Sequence, residues 1–300
     1  MDYNVYEKVG NSKQLISAYD FEIKNGLGAG KRIVLVNNNL LEVAFNADNA
    51  LDIAWLKYKG VNVSFLSKNG LNNNNPPFGA QFEGGFLYTC GLDNVSACEK
   101  DKAIHGSLHS RKADNLSINT YEDTVVISAD VYTTMLKGIN LVLHREYTVT
   151  ENCVSINDTV INKGFEDADY VLLYHVNFGY PFLDEGLKLE FDAVNSYPAN
   201  PHTNVDDCKI ITGALKKDTE NLYYHYLKNG TVNLTNEKLG MHCQFDFDMT
   251  ALPLLVQWKN LFKGDYVLGI EPATTRFDEY KKNPIKSGER HGFNLSLKFS

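Results

Sequence analysis

The sequence is poor in the features that mark the most easily read protein classes. Its five cysteines (Cys90, Cys98, Cys153, Cys208 and Cys243) are odd in number and include no Cys-x-x-Cys pair, which suggests neither a disulfide framework nor a zinc knuckle. No apolar run approaches the ~20 residues a membrane helix needs. The opening residues, MDYNVYEKVGNSKQ, lack the basic and apolar regions of a secretory signal. Cationic charge is short as well: 29 Lys and Arg face 37 Asp and Glu, a net charge of −8. That balance argues against a nucleic-acid partner, because phosphate binding wants a basic patch. No Gly-x-Ser-x-Gly elbow occurs, and the glycines of NGLGAGKR (25–32) fit neither phosphate-loop nor dinucleotide spacing. A soluble protein of a reducing cytoplasm, with no membrane partner, is the resulting expectation. Helical stripes are scarce too; residues 11–20 and Thr275–Lys282 are the best candidates.

What is present is a large apolar content with a period of two. Hydrophobic residues make up 43% of the chain and aromatics 12%, enough for a sizeable core. Segments such as KRIVLVNNNLLEVAFN, TVVISADVYTT, INLVLHREYTVTENCVSINDTVIN and DYVLLYHVNFG are rich in Val, Ile, Tyr, Phe and Thr and are broken by turn pairs. KIITGAL and GFNLSLKFS read the same way. About fifteen or more short strands, with no fixed-period repeat and no dividing linker, predict one all-β domain over residues 1–300, a large antiparallel sandwich.

Two strands carry polar residues in unexpected places. In VLLYHVNFGYP (171–181), alternation puts Leu172, Tyr174, Val176 and Phe178 on one face. The other face begins with Val171 and Leu173 and turns polar at His175 and Asn177. A core histidine with a hydrogen-bonded partner explains this as readily as a site does. In DYVLGIEPATT (265–275), Glu271 shares a face with Val267 and Gly269, and a carboxylate there is costly to bury without function or partner. A salt bridge to Lys259 or to an arginine is the structural alternative. A third segment, EGGFLYTCGLDN followed by HGSLHSRKA, brings His105, His109 and Arg111 within thirty residues of two glycines. The His-x3-His spacing spans one face only on a helix, which Gly106 and Ser107 disfavour, so no metal is expected.

The order of these motifs resembles the aldose 1-epimerases, or galactose mutarotases. GGFLYTCGLDN, HGSLHSR, LLYHVNFGYPFLDEG and QWKNLFKGDYVLGIEPAT look like a separate branch of that superfamily, over roughly residues 40–300. The resemblance implies a large antiparallel β-supersandwich and a site that needs no metal or redox cofactor. It implies His175 as general acid toward the sugar ring oxygen and Glu271 as base on the anomeric hydroxyl. His105 would contact the sugar near its reacting centre. Tyr88, Asp93, Asn177 and Lys259 are added as substrate-binding candidates. The better-known members carry a substrate-binding arginine upstream of that histidine; here only Arg32 lies upstream, and Arg111 is the candidate for the role.

The chemistry suits these residue types. Mutarotation opens a hemiacetal and recloses it on the other carbonyl face, which calls for an acid and a base on opposite sides of one ring. The partner is then a monosaccharide or sugar derivative, and a homodimer is compatible with the resemblance. Two rivals stand beside this expectation. One is a non-catalytic sugar-binding module on the same scaffold, and the other a glycosidase or lyase using carboxylates such as Glu83 and Glu271.

Overall fold

The computed structural model of the protein describes residues 7–74, 78–96, 103–217, 220–277 and 280–300. The strands form three antiparallel sheets. The first is a meander of β1 (Ser17–Glu22), β2 (Arg32–Asn37), β3 (Leu41–Asn46), β4 (Asp52–Tyr58) and β5 (Val61–Asn62). The second has eight strands, in the order β12 (Lys188–Glu190), β15 (Thr231–Asn236), β16 (Met241–Phe247), β20 (Arg290–Phe299), β10 (Cys153–Asn162), β9 (Asn140–Thr150), β8 (Val125–Thr134) and β7 (Ala113–Thr120). The third runs β13 (Ala193–Pro198), β14 (Asn221–Leu227), β17 (Leu254–Phe262), β18 (Asp265–Ala273), β11 (Ala168–Gly179) and β19 (Asn283–Ile285), with β6 (Leu87–Leu92) on the free flank of β11.

Alternation explains how these sheets pack. In β8, Val125, Ile127, Ala129 and Val131 are buried while their neighbours are half-exposed, and β10, β16 and β20 repeat the pattern. Side chains from all three sheets meet in one apolar core, which takes Leu172, Tyr174, Val176 and Phe178 from β11. The opposite face of β11 contributes Val171 and Leu173 to a second, smaller cluster with Tyr88, Cys90, Tyr224 and Val256. Three sequence expectations fail among the described residues. Residues 11–20 hold only a single tight turn (Ser12–Gln14) before β1 begins, because the segment carrying the aromatics Tyr19 and Phe21 pairs with β2. KIITGAL is irregular apart from a bridge between Leu215 and Phe262. In Thr275–Lys282, residues 275–277 and 280–282 are not helical, and 278–279 lie outside the described residues.

The core is not wholly apolar. Arg145 on β9 is fully buried and binds Asp158 on β10 (Nη2 to Oδ2, 2.7 Å) and Asp52 on β4 (Nη1 to Oδ1, 2.6 Å). It also donates to the Thr89 hydroxyl on β6 at 2.9 Å, while the Tyr174 hydroxyl on β11 donates to Asp158 at 2.8 Å. The other Asp52 oxygen meets His109 Nδ1 at 2.7 Å. Burial alone would raise Asp52, but Arg145 and His109, with the Thr89 hydroxyl, draw it below its ordinary value. One guanidinium therefore ties all three sheets together. Removing one member of a buried ion network leaves the others uncompensated, which costs about 3–5 kcal/mol. Arg145→Met is expected to destabilise by that order, read as a lower midpoint in urea unfolding at pH 7.

Candidate active site

β11 and β18 lie side by side, with Leu173 opposite Ala273 and Val176 opposite Ile270. That register sets Glu271 across from His175, on the face turned away from the main core. His175 Nε2 and Glu271 Oε1 are 3.3 Å apart, with residue exposures of only 4% and 1%. The separation is that of an ion pair, but the groups are not aligned as a hydrogen bond, and Oε1 has no hydrogen-bond partner among the described residues. The space for this contact comes from Gly269. A Cβ there would stand 2.4 Å from Glu271 Oε1 and 3.2 Å from His175 Cε1.

A cavity of about 650 Å³ opens over the pair. His175, Glu271 and His105 line it together with an aromatic wall of Phe78, Phe82 and Trp258. The Trp258 ring stands edge-on to His175, with centroids 5.3 Å apart. Its indole N–H donates to Glu220 at 2.8 Å, so a half-buried aromatic is locked in place at the rim. The far wall is polar, with Asn200, Glu220 and Asn221. His105 is presented by a turn that few sequences permit. Its φ is 65°, and Gly106 follows at 78°. A Cβ on Gly106 would lie 2.3 Å from the Asn94 carbonyl oxygen and 2.5 Å from that of Gly91. His105 Nδ1 is 3.1 Å from the Val95 carbonyl, which only accepts, so Nδ1 carries the hydrogen and Nε2 keeps its lone pair.

Burial dominates the electrostatics. It raises Glu271 well above the usual carboxylate range. It holds His175 well below the usual histidine value, a direction the nearby His105 reinforces and the Asn177 side chain opposes. His105 is lowered to about 4, again chiefly by burial. Burial thus pushes both members of the pair toward their neutral forms, a protonated Glu271 beside a neutral His175.

Of the eight residues singled out in the sequence, His175, Glu271 and His105 line the cavity and the other five do not. Tyr88 is buried and stacks on His109, rings 3.6 Å apart. Asp93 accepts the Ser107 N–H at 2.8 Å and so braces the His105 turn. Arg111 closes the following turn, its carbonyl taking the Ala50 N–H at 2.7 Å. Asn177 shares the His175 face but is fully buried, donating to the Gly85 and His175 carbonyls at 3.2 Å each. Lys259 points to the opposite face from Trp258, and its ammonium caps the carbonyls of Asp207 and Ile210. Glu83 belongs to the buried network, near Lys31 and His109, and not to the cavity. Among the described residues no group of three or more His, Cys, Asp or Glu is placed to hold a metal ion. Phe78, Phe82, Asn200, Glu220 and Asn221 were not foreseen. The two phenylalanines sit one helical turn apart in PPFGAQF, which is the only signal they gave.

Comparison with known proteins bears on this arrangement. Over residues 28–290 the chain matches the family described as a domain of unknown function, DUF4432. The chain belongs to that family. No curated protein matches it significantly in sequence. Among solved structures, this DUF4432 protein is similar to a "putative aldose 1-epimerase" from Klebsiella pneumoniae, with 19% identity, a TM-score of 0.85, and coverage of 96% of this chain and 86% of the other. It is also similar to a galactose mutarotase-like protein from Clostridium acetobutylicum, with 14% identity, a TM-score of 0.72, and coverage of 96% and 99%. The DUF4432 chain thus has the galactose mutarotase-like sandwich fold. No helix among the described residues is long and apolar enough to cross a membrane.

The raised carboxyl makes a testable contribution to stability. A group whose folded pKa lies above its unfolded value stabilises fully below the unfolded value, and loses that contribution as pH rises toward the folded one. Glu271→Gln keeps the shape and removes the titration. Its stability relative to the parent is therefore expected to grow by about 1.4 kcal/mol per pH unit from the ordinary carboxylate range upward. Thermal unfolding of both proteins at pH 4 and pH 8 measures it, with the variant gaining Tm only at the higher pH.

Proposed function

We propose that this DUF4432 protein is an aldose 1-epimerase-like isomerase that interconverts the anomers of a sugar through His175 and Glu271. The observation that carries the reading is the 3.3 Å contact between these two buried groups on the cavity wall. The expectation of an acid and a base on opposite sides of a ring is replaced by a pair acting from one side. The reacting oxygens, O1 and O5, are both bonded to C1, so adjacent donor and acceptor atoms match them. Phe82 and Trp258 supply flat apolar surface for the sugar's C–H face, and Asn200, Glu220 and Asn221 supply hydrogen-bonding groups for its hydroxyls.

In ring opening, the protonated Glu271 gives its proton to O5 while His175 takes the proton of the O1 hydroxyl. The C1–O5 bond breaks and the C1=O1 carbonyl forms. Rotation about C1–C2 exposes the other carbonyl face. O5 then attacks C1, returning its proton to the Glu271 carboxylate, as O1 takes a proton from the His175 imidazolium. The resemblance suggested His175 as donor to the ring oxygen O5 and Glu271 as base on the O1 hydroxyl. Burial favours the opposite starting distribution, so here Glu271 serves O5 and His175 serves O1, and His175 donates only in the closing half. Each group returns to its starting state, as microscopic reversibility demands. His105, with its Nε2 lone pair, is the third polar group at the reacting end. The sugar-binding rival draws on one observation: among the described residues, no arginine lines the cavity.

Anomer-exchange NMR on a panel of aldoses distinguishes these readings. The isomerase accelerates exchange for at least one sugar, whereas a binding module yields calorimetric binding with an unchanged exchange rate. His175→Gln is expected to lower kcat/KM by about 10²–10⁴-fold. Because the proposed starting state needs Glu271 protonated, kcat/KM should fall as pH rises through the raised Glu271 pKa, with no rise across the ordinary carboxylate range. Gly269→Ala, which displaces the carboxyl without touching its chemistry, should cost about 10²-fold while the protein stays folded by circular dichroism.

A further inference from the structure

Asn177 follows His175 by two residues on the same face of β11, and no part of it reaches the cavity. Its orientation follows from its neighbours. The Asn177 Nδ2 group donates to the Gly85 carbonyl and to the His175 carbonyl, both at 3.2 Å. Carbonyls only accept, so the amide nitrogen faces them and Oδ1 faces away. Two buried polar atoms in this short stretch of strand, Asn177 Oδ1 and His175 Nδ1, have no hydrogen-bond partner among the described residues, one able to accept and the other to donate. The Asn177 side chain also acts on the imidazole in the direction expected of an acceptor, favouring its protonated form.

We propose that Asn177 is a positioning residue that fixes the tautomer of His175, its Oδ1 accepting from Nδ1–H so that Nε2 offers a lone pair to Glu271 and the cavity. The inference rests on the reading of His175 and Glu271 as the proton-exchanging pair, and it adds the part that orders their protons. Which imidazole nitrogen carries hydrogen is set by the bond the other makes. A hydrogen held on Nδ1 turns a lone pair toward Glu271 Oε1, 3.3 Å away. An ionised carboxylate there would oppose lone pair to lone pair, so the contact is attractive only with the proton on Glu271. His105, on the same cavity wall, is held in the same tautomer by the Val95 carbonyl. The resting site therefore presents one donor, the Glu271 carboxyl, and two imidazole acceptors. Asn177 has the effect of stopping His175 from occupying the state in which both partners of the pair are donors.

Long-range ¹⁵N–¹H NMR of histidine-labelled protein at pH 7 tests this, with the His175 signals assigned by their loss in His175→Gln. In the wild type, Nδ1 is expected at a protonated-nitrogen shift and Nε2 at an unprotonated one; the reverse overturns the proposal without any variant. Asn177→Leu removes the acceptor and should convert His175 wholly or partly to the Nε2–H form, whereas Asn177→Asp keeps an acceptor and should retain Nδ1–H. Unchanged Nδ1–H in Asn177→Leu also overturns the proposal. In turnover, Asn177→Leu should lower kcat by about tenfold or more with KM nearly unchanged, since Asn177 touches no sugar. A wild type with Nδ1–H but without anomer exchange upholds the tautomer assignment and refutes the isomerase.

Discussion

The guanidinium of Arg145 is the point on which the three sheets depend. It reaches from β9 to carboxylates on β4 and β10 and to a hydroxyl on β6, with β11 joined through Tyr174. A cation in an apolar interior is tolerable only when its partners are all in place. No pair of sheets can close over Arg145 without the third, so the network sets their relative placement as well as their cohesion. It also reaches the site indirectly: Asp52 holds His109, and His109 stacks on Tyr88, the residue paired across from His175 in β6.

Against this rigid background the site is assembled from two ordinary antiparallel neighbours. Cross-strand pairing brings His175 and Glu271 together, and Gly269 leaves the gap that lets their ends meet. The same burial that raises the carboxyl and lowers the imidazole moves both toward neutrality. Burial thereby favours a neutral donor and acceptor over the ion pair that the same two groups would form in water.

Much of this was legible in the strand pattern. Alternation assigned the faces of 171–180 and 265–273 correctly: Leu172, Tyr174, Val176 and Phe178 enter the main core, with Leu268 and Ile270 beside them. It did not give depth. Asn177 is on the polar face but beneath the cavity floor, and Lys259 lies on the side of β17 opposite Trp258. Nor did it give register between strands far apart in sequence, which is why the contact of His175 with Glu271 appeared only as a shared ring. The loop residues were the least legible. Asn200 and Glu220 reach the cavity from irregular segments whose paths depend on packing and have no period to read. Residues 11–20 mislead in the other direction, since the β2 edge recruits residues 17–20 into a strand.

The fixing of Trp258 by Glu220 has an optical consequence. The chain has two tryptophans. Trp55 lies in β4, its indole bonded to Glu42 of the neighbouring strand, while Trp258 forms part of the cavity wall beside a histidine. Their surroundings are separate, so a molecule settling in the cavity changes the polarity and quenching around one emitter and leaves the other as an internal reference. Occupancy of the site is thereby written into the native fluorescence of the unlabelled protein.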